Sequence, residues 1–324
     1  MSLTTESHGD GVRTPPVVLK VATRLAGVVP SVDPSDHTIV FTHVPKTGGM
    51  TLDHIMMAAA AVGGKRWRRL PMTAQRSVPR HERRQMFLDF EEFPRDELAG
   101  FDYITGHMPF GIHRRLPRPS LYIVLLRDPV ARLLSNFRFG IDRGKWSRDT
   151  SIEALFKEGK IADNLQTRQL SGLGDFSAPC TAATLALAFE NLRSHYAFVG
   201  LTERFDDLLK GLITLLGWPD VAYSDRQVSS TPSDPALETS VRDAAERHCC
   251  LDMELYAAAR LRATPWSAGL LEGTVDGSTR QANVLLTSPV VNFNSRPSAL
   301  LPADFFDSRL GPAVRQQGGD VVFV

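Results

Sequence analysis

The sequence predicts an α/β fold in which a central, mostly parallel sheet is flanked by helices. Short runs rich in β-branched residues alternate along the chain with segments of helical periodicity, and this alternation is typical of parallel sheets. The first run leads through a glycine-containing turn into a helix, which is the layout of a phosphate-binding unit. Together these observations favour a P-loop-like architecture.

Four hydrophobic runs form the expected strands. The first extends from Thr38 to Val44, and later runs follow at Tyr103–Thr105, Leu121–Leu126 and Tyr196–Gly200. From Thr51 onward, apolar residues recur every three or four positions, so a helix is expected there. Further helices are expected at 151–159, 163–171, 181–194, 203–216 and 236–261.

The texture of the sequence divides the chain into three segments. Residues 1–35 are mixed and polar, so we expect a flexible N-terminal arm. Residues 36–262 carry the alternating strands and helices of the main domain. Residues 263–324 are rich in Ser, Pro, Gly and Asn, with short strand-like pieces at Asn283–Thr287 and Val321–Val324. This C-terminal extension is either a small β element or a partly ordered tail.

The composition is that of an ordinary globular chain. Its 324 residues are 43% apolar and 23% charged, which suffices for a large core. The formal net charge is +1, so we expect no nucleic-acid partner. Any attraction to an anionic ligand must come from local clusters of charge.

Cysteine usage and the apolar stretches favour a cytoplasmic protein. Three cysteines, two of them adjacent, suggest neither a disulfide framework nor a zinc site. The first thirty residues lack a signal pattern, and the longest apolar stretch, Met50–Gly63, is too short to span a bilayer. We therefore expect no integral membrane segment. The sequence does not predict the oligomeric state.

The first motif is the loop Pro45-Lys46-Thr47-Gly48-Gly49-Met50-Thr51, between the first strand and its helix. Main-chain N–H groups of a glycine turn at a helix N-terminus form an anion site, to which Lys46 adds a positive charge and Thr47 and Thr51 add hydroxyl donors. The lysine precedes the glycines, so the Walker pattern of nucleoside triphosphatases is absent. A plain turn between strand and helix is the simpler alternative.

The second motif begins at Arg127, where the 121–126 strand ends. Ligands of open parallel sheets bind at such strand ends, and a guanidinium can hold a phosphate by two bonds. Ser135 follows about two helical turns later and could donate to the same phosphate. Alternatively, Arg127 pairs with Asp128 and Ser135 is only a helix residue.

Together, P-K-T-G-G-x-T and R-D-P-x-x-R-x-x-S resemble the 5′-phosphosulfate loop and the 3′-phosphate motif of carbohydrate sulfotransferases. They look most like the uronosyl and heparan sulfate 2-O-sulfotransferases and their bacterial relatives. Three more segments are similar to that family and extend the resemblance over roughly residues 37–261: Gly106-His107, Asn164–Leu170 and Tyr196–Glu203.

The resemblance implies a P-loop-like sulfotransferase fold over 36–262 and a donor, 3′-phosphoadenosine 5′-phosphosulfate (PAPS), with no metal. Residues 46–51 would bind the 5′-phosphosulfate, and Arg127 and Ser135 the 3′-phosphate. Lys46 would also stabilise the leaving group. His107 would act as general base, since an imidazole is largely neutral at pH 7. His43 and His113 are rivals for that role.

A basic segment, 65–84, suggests an anionic acceptor. It holds eight Lys or Arg against one acid, Glu82, and further arginines follow His107. A hydroxyl-bearing glycan with carboxylates or sulfates would fit such a surface. An ordinary solvated surface is the alternative, and a core position is the alternative for the tryptophan. The candidate acceptor residues are Trp67, Arg68, Arg69, Arg114 and Arg115.

A further loop, Gln227–Pro232, corresponds to the family region that closes over the nucleotide. Its hydroxyl residues Ser229, Ser230 and Thr231 are candidate phosphate donors. A turn that caps the following helix explains them equally well.

Two departures and two other functions remain open. Family members often have Thr or Ser where this chain has Met50, and the animal glycosaminoglycan enzymes are membrane-anchored, which favours a bacterial-type enzyme here. A non-catalytic nucleotide- or glycan-binding protein would use the same loops. A nucleotide-dependent kinase would need magnesium ligands and a lysine after the glycines, and the sequence has neither.

Overall fold

The structure is a computed structural model that describes residues 17–22, 24, 29–30, 33–70, 93–223, 234–262, 271–272, 284–286 and 321–323. The strands are β1 Val17–Ala22, β2 Val29–Pro30, β3 Thr38–Thr42, β4 Trp67–Arg69, β5 Tyr103–Gly106, β6 Ser120–Leu126, β7 Tyr196–Leu201, β8 Asp220–Tyr223, β9 Leu271–Glu272, β10 Val284–Leu286 and β11 Val321–Phe323.

The helices are α1 Gly49–Val62, α2 Arg95–Ala99, α3 Pro129–Asp142, α4 Ile152–Lys157, α5 Leu165–Ser171, α6 Ala182–Ser194, α7 Phe205–Leu216, α8 Pro235–His248 and α9 Cys250–Arg262. Short 3₁₀ turns lie at Pro34–Asp36, Ile112–Arg115 and Thr202–Arg204.

The central sheet has five strands in the order β4-β5-β3-β6-β7, and all its pairings are parallel. Its register pairs Ile39 of β3 with Tyr103 of β5 and with Leu121 of β6. The predicted α/β fold with a parallel sheet is therefore confirmed. Because parallel strands end at one edge, the loops after β3, β5, β6 and β7 meet there.

Helices cover both faces of the sheet because the strand side chains alternate. Ile39 and Phe41 of β3 enter a core formed with α1 and α7, where Leu52 and Leu209 are fully buried. Val40 faces the opposite core, which contains residues of α5, α6 and α9. A third apolar cluster joins α3, α4 and α8. The edge of the sheet at which the four loops meet is therefore supported by an apolar core on each face of the sheet.

The single helix expected at 236–261 is wrong, since two helices, α8 and α9, meet at Cys249. A side chain from elsewhere in the fold explains the break. The Asn164 Oδ1 accepts hydrogen bonds from the N–H groups of Leu251 and Asp252, and so caps the start of α9. Asn164 lies 87 positions before Leu251, so the pattern of residues around 249 does not reveal this cap.

The two ends of the chain contribute to a second sheet. Strand β1 pairs antiparallel with β8 and β10, and β11 runs parallel to β8. Strands β10 and β11 coincide with the pieces expected at 283–287 and 321–324, whereas β1 lies in the segment expected to be an arm. The division of the chain into three segments stays a prediction. Among the described residues, no helix is long and apolar enough to cross a membrane.

Candidate functional site

The loop after β3 turns sharply before α1 begins. Lys46 and Gly48 both have left-handed backbones, with φ of 70° and 82°. This conformation costs a non-glycine residue about 1 kcal/mol or more, so Lys46 stores strain. The turn is fixed by Thr202, whose hydroxyl lies 2.7 Å from the Thr47 carbonyl oxygen and 3.0 Å from that of Leu126. It therefore leads tightly into the N-terminus of α1, where the Thr51 N–H donates to the Gly48 carbonyl oxygen at 3.1 Å and the positive end of the helix dipole favours an anion.

The Thr47 hydroxyl, predicted to donate to the anion, is bonded within its own loop. The Thr47 side chain is fully buried, and its Oγ1 donates to the Val44 carbonyl oxygen at 2.9 Å. A hydroxyl has one proton to donate, so Thr47 offers an anion its main-chain N–H only. Thr51 is buried in the first turn of α1, and Met50 is half-buried there with its Sδ 3.3 Å from the Arg69 Nη2.

Gly49 permits a close contact beneath the loop. A Cβ added at this position would overlap the imidazole ring of His43, which is 2% exposed. Any larger residue would therefore displace either the histidine or the start of α1. The glycine keeps the loop pressed against His43.

The Lys46 side chain lies on α3, with its Nζ 4.0 Å from the centre of the Phe139 ring. Burial, together with the nearby positive charge of Arg127, lowers the pKa of Lys46 to about 8. A bound anion would raise the pKa of Lys46 again, because its negative charge would stabilise the protonated ammonium. These electrostatics favour the binding of an anion beside Lys46.

Arg127 is brought next to Lys46, as the strand-end argument predicts. Its Nη1 donates to the Lys46 carbonyl oxygen at 3.1 Å, and burial lowers its pKa below the ordinary value. Ser135 lies half-buried on α3, four residues before Phe139, and therefore on the same helix face as the ring that holds Lys46. The structure thus brings Arg127 to Lys46 and places Ser135 on the helix face that Lys46 contacts, while phosphate binding by Ser135 stays a prediction.

His107 follows β5 at the same edge and is held by its main-chain neighbour. Its Nδ1 lies 2.7 Å from the His43 carbonyl oxygen, which can only accept, so Nδ1 carries the proton. The free lone pair is consequently on Nε2. Burial and the neighbouring His43 lower the pKa of His107 to about 3, so its imidazole is neutral throughout the physiological range.

The two rival histidines have other partners. The His43 Nδ1 lies 3.2 Å from the Asp53 carboxylate, and its ring is 4.3 Å from that of His107. Asp53 also pairs with the Arg69 Nε at 3.2 Å. Burial opposes ionisation of Asp53, but His43 and Arg69 outweigh it, and the pKa of Asp53 is lowered. His113 bonds through Nδ1 to the Tyr122 hydroxyl at 2.9 Å.

The candidate acceptor residues do not form one surface. Trp67 packs against the core beneath α1, which favours its core alternative. Arg69 points toward the same side and pairs with Asp53, whereas Arg68, on the opposite face of β4, lies over Phe101 with 5.8 Å between guanidinium and ring. Phe101 precedes β5 and so belongs to the edge away from His107.

The remaining candidates lie after β5 or outside the described residues. The Arg115 Nη2 donates to the Phe93 carbonyl oxygen at 2.7 Å, while Arg114 is exposed on the Ile112–Arg115 turn. Acceptor binding by these arginines stays a prediction. The candidates Ser229, Ser230 and Thr231 lie outside the described residues. Where the structure describes the chain, it holds no group of three or more His, Cys, Asp or Glu placed for a metal.

Sequence reasoning missed several residues that shape the site. Phe139 under Lys46 and Thr202 behind the loop are two of them. Gln166 and Gln169 of α5 also bond directly to site loops, through Arg127 and His43. The position of Thr202 after β7 was a usable signal, because strand ends collect at one edge. The glutamines lie in the Asn164–Leu170 segment that resembles the family, but their bonds to the site loops were not predicted.

Comparison with known proteins adds a family to this geometry. No curated protein sequence matches the chain. Among solved structures, it is similar to the crystal structure of a sulfotransferase from Alicyclobacillus acidocaldarius, with 15% identity over 68% of this chain and 96% of that one. The TM-score of 0.38 is too low for further argument. The model of the sulfotransferase family matches residues 32–249, more than half of the sequence, and the chain therefore belongs to the sulfotransferase family.

Proposed function

We propose that this protein is a PAPS-dependent O-sulfotransferase that uses His107 as general base on a carbohydrate or glycosylated small-molecule acceptor. The observation that carries the proposal is the meeting of two cations, Lys46 and Arg127, with a neutral imidazole at one sheet edge. Phosphate groups need the cations, and an acceptor hydroxyl needs the base.

The residues at the loop fit the donor's two phosphate ends. The tight turn and Gly49 bring main-chain N–H groups of the first α1 turn to one point, where a 5′-phosphosulfate would bind beside Lys46. Arg127 lies next to this point and has a guanidinium for the 3′-phosphate, with Ser135 on the adjacent helix.

Each residue has a distinct task in the proposed transfer. PAPS supplies the sulfuryl group, whose bond to the 5′-phosphate oxygen breaks as the acceptor oxygen bonds to sulfur. The Lys46 ammonium stabilises the negative charge that grows on that phosphate oxygen. His107 Nε2 takes the acceptor proton, while its Nδ1–H stays bonded to the His43 carbonyl oxygen and fixes the ring.

The proposal includes an anionic acceptor, and among the candidate arginines Arg114 is the one that supports it. Arg114 lies seven residues after His107, on the Ile112–Arg115 turn that follows β5, and its side chain is exposed to solvent. Arg69 supports the site differently, since it holds Asp53 behind the phosphate loop. The preference for an anionic acceptor is therefore tested by comparing transfer to neutral sugars with transfer to sugars that carry carboxylates or sulfates.

Adenosine 3′,5′-bisphosphate is expected to raise the melting temperature by about 5 °C at saturating concentration, since it binds only the folded state. AMP, which lacks the 3′-phosphate, and ATP should each give a smaller rise. Differential scanning fluorimetry measures all three. The Arg127→Ala variant is the matched control, because it should remove the advantage of the bisphosphate over AMP. Equal or greater stabilisation by ATP would contradict the proposal.

A further inference from the structure

We infer that α5 is the positioning element of the site, with Gln166 aligning Arg127 and Gln169 aligning His107. This inference rests on the proposed function. Both glutamine side chains are fully buried, and each bonds to the main chain of a loop that carries a site residue. Both polar atoms of the Gln166 amide and the Nε2 of Gln169 make hydrogen bonds, whereas the buried Gln169 Oε1 has no partner among the described residues. Because a buried polar atom is costly unless it is bonded, the bonds that are made hold the two loops relative to one helix.

Gln166 clamps the peptide groups of Arg127 from both sides. Its Oε1 accepts from the Arg127 N–H at 3.0 Å, and its Nε2 donates to the Arg127 carbonyl oxygen at 3.0 Å. Only a carboxamide can be acceptor and donor in this way. The direction in which the Arg127 guanidinium leaves β6 is therefore set by α5.

Gln169 acts on the loops after β3 and β5 together. Its Nε2 donates to the carbonyl oxygens of His43 at 3.1 Å and of Met108 at 3.0 Å. The His43 oxygen is the same atom that accepts the His107 Nδ1–H. The Gln169 amide thus holds both the acceptor that orients His107 and the residue that follows His107.

The helix itself is fixed by partners from the other end of the domain. The buried Asp252 carboxylate accepts from the N–H groups of Gln166 at 3.1 Å and Thr167 at 2.7 Å. In return, the Asn164 side chain caps α9, on which Asp252 lies. The Arg168 guanidinium, 2% exposed, pairs with Asp163 at 2.6 Å. A helix held at this many points can transmit alignment to the two glutamines.

The test uses full-length Gln166→Met and Gln169→Met, which keep side-chain length but lose the amide. Gln166→Met should raise the Kd for adenosine 3′,5′-bisphosphate about tenfold and change kcat at saturating PAPS by less than about threefold. Gln169→Met should lower kcat about tenfold and leave that Kd within about threefold. Calorimetry and steady-state kinetics separate the two effects.

Two controls distinguish positioning from loss of stability. Asn191→Leu removes another amide bond to α5, from Nδ2 to the Leu170 carbonyl oxygen at 2.8 Å, without touching a site loop, and should leave Kd and kcat unchanged. In an Arg127→Ala background Gln166→Met should weaken binding no further, and in a His107→Ala background Gln169→Met should not lower kcat further.

Effects that add in these backgrounds, or that Asn191→Leu reproduces, would overturn the inference. If a Met variant does not fold, the corresponding Asn variant, whose amide is one methylene too short, makes the same test. Wild-type protein that neither binds the bisphosphate nor transfers a sulfuryl group would instead overturn the proposed function, on which the inference depends.

Discussion

Lys46→Met is expected to lower kcat for sulfuryl transfer by about 10²–10³-fold, the usual effect of removing a group that stabilises transition-state charge. The change keeps the side-chain length over Phe139 and removes only the charge beside the loop. Initial rates with PAPS measure it. Lys145→Met is the matched control, because Lys145 is exposed and its Nζ lies 5.6 Å from the same ring, outside the loop. A similar loss in both variants would contradict a specific task for Lys46.

Because the pKa of Lys46 is lowered, the activity that depends on its charge should also depend on pH. This pKa is lowered to about 8 by burial and by Arg127, so above pH 8 the free enzyme loses the ammonium that is proposed to hold the donor. The kcat/KM for PAPS should therefore fall as the pH rises through this value. Lys46→Arg keeps its charge to much higher pH and should remove this decline. A decline that persists in Lys46→Arg belongs to another group.

His107→Ala is expected to lower kcat by about 10²–10⁴-fold, the range found for a lost general base. Its affinity for adenosine 3′,5′-bisphosphate should stay within about threefold of wild type, because Lys46 and Arg127, which are proposed to bind its phosphates, are untouched. Single-turnover transfer and calorimetry measure the two quantities. Since the pKa of His107 is lowered to about 3, its protonation should not reduce the wild-type rate between pH 5 and pH 7.

The control for this variant is the rival histidine that follows the same strand. His113→Ala should keep kcat within about threefold, because the ring of His113 packs against Phe110 and bonds to the Tyr122 hydroxyl instead of facing the loop after β3. If His113→Ala abolishes transfer while His107→Ala retains it, the base has been assigned to the wrong residue.

The sequence was sufficient for the parts of the site that follow from strand order. Lys46, His107 and Arg127 each follow a strand that is visible as a β-branched or apolar run, and parallel strands must end at one edge. Their convergence was therefore predictable from periodicity alone. The place of Ser135 on α3 needed a further observation, its spacing of about two helical turns from Arg127, and its binding of a phosphate stays a prediction.

The parts that escaped prediction depend on contacts between distant segments. Residues Trp67–Arg69 form an edge strand, which their basic sequence did not predict. Because side chains alternate along a strand, Arg68 and Arg69 lie on opposite faces of the sheet. The Thr47 hydroxyl is taken by a carbonyl group within its own loop. The glutamines of α5 bond to loops as far as 126 positions away, so only the folded chain reveals what they hold.

Transfer of a radiolabelled sulfuryl group from PAPS tests the central claim most directly. The protein is incubated with labelled donor and hydroxyl acceptors that range from neutral sugars to sugars with carboxylates or sulfates. We expect label on an acceptor, with release of an equal amount of adenosine 3′,5′-bisphosphate, strong dependence on His107 and Lys46, and preference for the anionic acceptors. Label that stays on the donor with every acceptor, in protein that is stabilised by ATP but not by the bisphosphate, would contradict the account.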